Sequence, residues 1–158
     1  MQQWAIRVWA VVLEKRSADP IASGPREFLV ACLCAEWCGT CRDYRAGFGS
    51  LSAQSPDSHF IWVDIEDDAD WAGDFDVENF PGIVIQRGEL VLFVGPTLPQ
   101  HGHLQRQLDV LRKQTAEEAR QYASGTDERR GWQTAFNVRA ALRDHFGLVQ
   151  GDAMDAPP

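Results

Sequence analysis

The chain has 158 residues, 44% of them apolar, and carries 15 Lys and Arg against 23 Asp and Glu, for a net charge of −8. A chain of this length buries roughly 70% of the surface its unfolded form exposes, enough for one domain whose core needs no staples. Its acidity argues against a phosphate-tracking nucleic-acid binder, and no apolar run approaches the roughly 20 residues that span a bilayer.

Taken from the N-terminus, Trp4 to Leu13 is apolar and about as long as a signal-peptide core. Its flanks are wrong for one: Met1-Gln2-Gln3 carries no basic residue, Arg7 interrupts the run, and Glu14-Lys15-Arg16 stands where small residues would mark cleavage. Its apolar pattern satisfies either a strand or an amphipathic helix; the segment is expected to belong to the fold, read as a helix from about Gln3 to Arg16, in a cytoplasmic protein. Asp19-Pro20 and Gly24-Pro25 make the next stretch a loop.

Phe28 to Cys34 is a short continuous apolar run, the pattern of a central strand buried on both faces. Cys38 to about Ala53 reads as a helix, weakened in its second half by Gly47 and Gly49 at roughly 1 kcal/mol each. Phe60 to Ile65 is the next strand, and in the acidic stretch after it Asp67 or Asp68 can cap a short helix. Gly82 to Gln86 and Leu90 to Val94, separated by Arg87-Gly88-Glu89, spell a hairpin with a tight glycine turn. Leu98 to Tyr122 places Leu104, Leu108 and Leu111 on one face of a single helix. A turn at Ser124-Gly125 then leads to a weaker helix around Trp132 to Phe146, whose Trp132, Phe136 and Leu142 fall within one broad face and are expected to dock on the core.

Chemistry concentrates in one place. All four cysteines, Cys32, Cys34, Cys38 and Cys41, lie within ten residues, where bridges would close loops too short to stabilise a framework. Trp37-Cys38-Gly39-Thr40-Cys41 follows the buried strand and opens the helix. Free N–H groups and the helix dipole there favour a thiolate at Cys38, the nucleophilic form. Three-residue spacing puts Cys41 one turn inside on the same face, able to attack a mixed disulfide formed at Cys38. Gly39 would let a substrate backbone approach closely. The competing use of this pattern is half a zinc site, which requires two further ligands. Cys32 and Cys34 share a strand face, where small core packing is the expectation.

The run Ala35-Glu36-Trp37-Cys38-Gly39-Thr40-Cys41 after its strand resembles the active-site turn of the thioredoxin family. Val63-Asp64-Ile65, the Phe80-Pro81 step before the hairpin, Gly88 in its turn and Val94-Gly95 before the next helix extend the likeness over about residues 28–112. The resemblance implies an α/β thioredoxin fold: a mixed central β-sheet flanked by helices, here with an extra C-terminal helical segment. The implied organisation is an N-terminal helix and loop over 1–27, a thioredoxin-like core over 28–112 and a helical extension and tail over 113–158. It also implies that Pro81 is cis and lies beside the cysteines, with Trp37, Gly39, Thr40, Phe80 and Pro81 as substrate-contacting residues.

This chain departs from the family pattern around the dithiol. Thr40 stands for the usual proline between the cysteines, which implies a more oxidising disulfide. Cys32 stands for the buried aspartate that assists the resolving cysteine, Trp62 for its lysine neighbour and Cys34 for a tryptophan. Without that aspartate, water or a more distant group such as Glu36 would have to take the proton. The implied activity is a protein-disulfide oxidoreductase that exchanges disulfides with protein thiols through the CxxC pair and serves cell redox homeostasis. Neither metal nor organic cofactor would be required, and a thioredoxin reductase or a glutathione-linked reductant would recharge it. The alternative is a thioredoxin-fold adaptor or co-chaperone whose dithiol is weakly active or regulatory.

Overall fold

The structure, a computed structural model, describes residues 27–146. The helix expected over Gln3 to Arg16 and the signal-like stretch within it lie outside the described residues. Strand β1 (Phe28–Cys34) is buried along its whole length. It pairs in parallel with β2 (Ser58–Asp64) on one side and antiparallel with β3 (Gly82–Arg87) on the other. β4 (Leu90–Pro96) pairs antiparallel with β3, so the mixed sheet runs β2-β1-β3-β4.

Alternation along β1 feeds two cores. Phe28, Val30, Cys32 and Cys34 point into a cluster built with Tyr44, Phe48 and Leu51 of α1 (Gly39–Ala53) and Leu104, Leu108 and Leu111 of α3 (His101–Arg112). Leu29, Ala31 and Leu33 point the other way. They meet Ala72 of the short α2 (Ala69–Ala72), Phe75, and Val138 and Leu142 of α6 (Val138–Phe146). A strand that faces two covered sides has no polar face to show, which is why its sequence is an unbroken apolar run.

The β3–β4 hairpin turns on Gly88-Glu89. Gly88 has φ 56°, the left-handed value that the first position of a type II′ turn requires and that glycine adopts without strain. The register shifts between Ile85 and Gln86, leaving Leu92 as an extra residue on β4.

Three expectations are corrected. The helix read over Leu98 to Tyr122 is two, α3 and α4 (Ala116–Ala123), because Thr115 and Glu118 form a capping box that starts a new helix. The helix read over Trp132 to Phe146 is also two, α5 (Asp127–Ala135) and α6. Thr126 caps the first by accepting from the Arg129 N–H, and Asn137 caps the second by accepting from the Ala140 N–H at 3.0 Å. Asp68 does occupy the N-cap position of α2, but its carboxylate accepts from the Asp64 N–H instead of capping the helix.

Of the C-terminal helices, α4 joins the first core through Ala119 and Ala123, and α5 and α6 pack on the second. Trp132 meets Phe93 edge-on at 6.3 Å, and Phe136 stacks on Phe75 at 5.9 Å. Gln86, fully buried on β3, locks α6 in place: its Oε1 accepts from the N–H groups of Val138 and Arg139, and its Nε2 donates to Asn137 Oδ1. Among the described residues no helix is long and apolar enough to cross a membrane.

Candidate active site

β1 ends at Cys34, and the chain turns through Ala35-Glu36-Trp37 into α1. The Cys38 N–H donates to the Ala35 carbonyl at 3.0 Å, and the Arg42 N–H donates back to the Cys38 carbonyl at 3.2 Å, the first bond of the helix. Arg42 Nη1 also donates to the Glu36 carbonyl at 2.7 Å, pinning the turn from outside. Cys38 is thus the N-cap residue of α1, half-buried and with no side-chain capping bond. It stands at the end of α1 where the N–H groups of the first turn have no partner within the helix.

The residues around Cys38 divide by exposure. Trp37 is 64% exposed, and Gly39 and Thr40 are also open to solvent, whereas Cys41 is 1% exposed. Trp37 meets the Phe80 ring edge-on at 5.5 Å. The Phe80–Pro81 peptide is cis, and Phe80 and Cys38 both pack against the cluster that contains Cys41. Gly39 has room to spare: a Cβ there would meet only Arg42, at 3.6 Å.

Behind this rim the cysteines pair in an unexpected way. Cys41 is disulfide-bonded to Cys34, with Cα atoms 5.9 Å apart, while Cys38 and Cys32 are free thiols. Cys32 Sγ lies 3.6 Å from Cys34 Sγ. The expectation that Cys34 merely fills core space is therefore corrected. Its strand position faces α1, and the first turn of α1 turns Cys41 back toward it. Strand alternation gives Cys34 the face that α1 covers, but only the packing of α1 on β1 brings Cys41 to it. Cys32 does pack as a core residue, and burial pushes its thiol far above the ordinary range.

A cleft of about 270 Å³ opens beside the pair, lined by Ala35, Glu36, Cys41, Arg42, Arg45, Trp62 and Asp64. Trp62 closes one wall with the Arg45 guanidinium over its ring at 5.2 Å. Asp64 was not singled out as a site residue from the sequence. It is buried at the end of β2, paired in register with Cys34, and its Oδ1 accepts from the N–H groups of Glu66 and Asp67. Glu36, Asp64 and Asp67 bring carboxylate oxygens within 4.8 Å of one another. Those turn bonds already account for the Asp64 orientation. Cys34 and Cys41, bonded to each other, are not offered to an ion.

A family model described as Thioredoxin matches residues 10–101. The chain belongs to the thioredoxin family. A Streptomyces coelicolor protein named "Putative thioredoxin 2" is 30% identical over 91 residues, which is 57% of this chain and 67% of that protein. Among solved structures, a mutant thioredoxin from Halobacterium salinarum superposes with a TM-score of 0.52 at 18% identity, covering 61% of this chain and 84% of that one. The germline-specific thioredoxin Deadhead of Drosophila melanogaster gives 0.51 at 19% identity, over 70% and 93% of the two chains. A structure of ferredoxin:thioredoxin reductase in complex with thioredoxin f2 gives 0.51 at 19% identity, over 63% and 91%. These structural likenesses speak for the fold. Family membership together with the close cysteine pair points to thiol–disulfide redox chemistry at this thioredoxin-family site.

Proposed function

We propose that this chain is a thiol–disulfide oxidoreductase acting on protein cysteines, with Cys38 as the attacking and Cys41 as the resolving thiol. The observation that carries this reading is the difference in setting between them: Cys38 half-exposed at the α1 N-terminus, Cys41 buried one turn inside. The Cys38 thiolate attacks one sulfur of a substrate disulfide, and the other substrate sulfur leaves as a thiolate. Cys41 then attacks Cys38 Sγ and expels the second substrate sulfur, leaving the protein oxidised by two electrons. The proton of Cys41 has an exit through the cleft that Glu36 and Asp64 border, in place of the aspartate that the family keeps at the position of Cys32.

Trp37, Gly39, Thr40, Phe80 and Pro81 form the rim on which a substrate chain would lie. The reductase complex of the related thioredoxin f2 supports a reductase of that general type as the source of electrons, with a glutathione-linked donor as the other option. A cytoplasmic setting suits a dithiol that must be returned to its reduced state.

The test is insulin-disulfide reduction under a recycling reductant, paired with a trap. Cys38→Ser should abolish turnover, and Cys41→Ser should accumulate a mixed disulfide through Cys38. Mixed-disulfide capture without any turnover by the unaltered chain would instead favour the adaptor reading.

A further inference from the structure

The dithiol mechanism leaves Cys34 without a task, yet Cys34 is the residue bonded to the resolving thiol. Cys41 sits between two candidate partners. Cys38 is one helical turn away along α1, and Cys34 lies across the turn on β1 with a Cα separation inside the range that a disulfide spans. Cys38 is meanwhile a free thiol at the surface end of the helix. Two sulfurs that can each reach a third allow the bridge to migrate between them without any external oxidant.

We propose that Cys34 is a third redox-active cysteine, which takes Cys41 out of the Cys38–Cys41 disulfide and leaves the oxidised chain as Cys34–Cys41 with Cys38 regenerated as a free nucleophile. The inference rests on the reading of Cys38 as the entry point for substrate. In the step, Cys34 gives up its proton and its sulfur attacks Cys41 Sγ. The Cys34–Cys41 bond forms as the Cys38–Cys41 bond breaks, and the broken bond's electron pair leaves with Cys38 as a thiolate. Nothing is oxidised or reduced overall. The proton leaves by the cleft beside Asp64, the register neighbour of Cys34. Cys32 is a free thiol, and its near neighbour is Cys34 on the same strand, whereas Cys34 is the sulfur joined to Cys41.

The consequence is a change of activity with oxidation state. The reduced chain, with Cys41 available, reduces a substrate disulfide. The Cys34–Cys41 form can still attack a substrate disulfide through Cys38 but has no resolving thiol for it. The mixed disulfide is then released by another thiolate of the substrate, which forms a new substrate disulfide and expels Cys38. That sequence rearranges disulfides without net reduction.

Three protease cuts, read together with the positions of a thiol block, distinguish the bridges. The reduced full-length chain is mixed with one equivalent of a peptide carrying a single strained disulfide. Samples are blocked with N-ethylmaleimide in acid and denaturant at early and late times, then cleaved after Glu27, Glu36 and Arg42. A Cys38–Cys41 bridge stays within fragment 37–42, whereas a Cys34–Cys41 bridge joins fragment 28–36 to it and leaves the maleimide on Cys38 and Cys32. A maleimide on Cys34 in place of Cys32 would assign the bridge to Cys32 and overturn the relay. The early sample should hold the first and the late sample the second, in excess by about tenfold or more. A late sample still bridged within 37–42, or joined fragments with the maleimide on Cys41, overturns the relay. Cys34→Ala should still be oxidised by the peptide and should remain Cys38–Cys41 in the late sample. Cys34→Ser serves the same purpose if the alanine variant does not fold. Cys38→Ser should not be oxidised at all; its conversion to Cys34–Cys41 at the wild-type rate would overturn the entry role of Cys38 itself, a different failure from a relay that stalls.

Discussion

Cys34 and Cys41 are joined across the β1–α1 turn, while Cys38, three residues before Cys41, remains a free thiol at the helix N-cap. One bridge therefore connects the last residue of the central strand to the first turn of the active-site helix. It leaves the more accessible sulfur unpaired.

In the reduced chain this predicts sharply unequal thiols. Limited iodoacetamide at neutral pH should label Cys38 first. Cys32 should stay unlabelled until the chain unfolds, since burial both shields it and pushes its thiol up. Peptide mapping reads the order, and early labelling of Cys32 would contradict the burial argument.

Gly47 and Gly49 of α1 should respond in opposite ways to alanine. A Cβ at Gly49 meets nothing within 4 Å, so Gly49→Ala should raise stability by about 0.5–1 kcal/mol through helix propensity. A Cβ at Gly47 would overlap the His101 imidazole, which is itself packed on Tyr44 at 4.5 Å. Gly47→Ala should cost about 1–3 kcal/mol. Urea midpoints of the two variants make the comparison, and equal shifts would dismiss the α1–α3 contact as the reason for Gly47.

Gln86 ties the C-terminal helices to the sheet. Replacing it with Leu leaves the Val138 and Arg139 N–H groups without their acceptor in a buried setting, at about 1–3 kcal/mol for each unpaired donor. Thermal unfolding of Gln86→Leu should show a clear loss of stability with the insulin-reduction rate per folded molecule nearly unchanged. A loss of activity larger than the loss of folded protein would mean that α6 reaches the active site.

Asp68 should make stability fall as pH rises. Burial pushes its carboxyl above the ordinary 3.8, the hydrogen bonds from Asp64 and Trp71 pull it back, and the charges of Asp64 and Asp67 raise it further. A carboxyl raised on folding binds its proton more tightly in the native state. Its contribution is fully present below 3.8 and is lost as pH climbs through the higher folded value. Asp68→Asn, which can still accept from the Asp64 N–H, should be more stable than wild type at neutral pH and converge with it in acid. Denaturant unfolding across that range settles the sign.

Much of this was legible along the chain. The apolar run of β1, the glycine turn of the hairpin and the Trp37-to-Cys41 motif are each local patterns, dictated by burial on two faces, by a left-handed turn residue and by the chemistry of a helix N-terminus. The helix breaks at Thr115 and Asn137 were local too, as capping residues, but periodicity runs through a cap without registering it. The pairing of Cys34 with Cys41, the placing of Asp64 beside them and the reach of Gln86 across 52 residues to Val138 were decided by tertiary structure. Each depends on which strand lies next to which and on which face a helix covers, and those relations are fixed by packing between segments distant in sequence, so no local pattern encodes them.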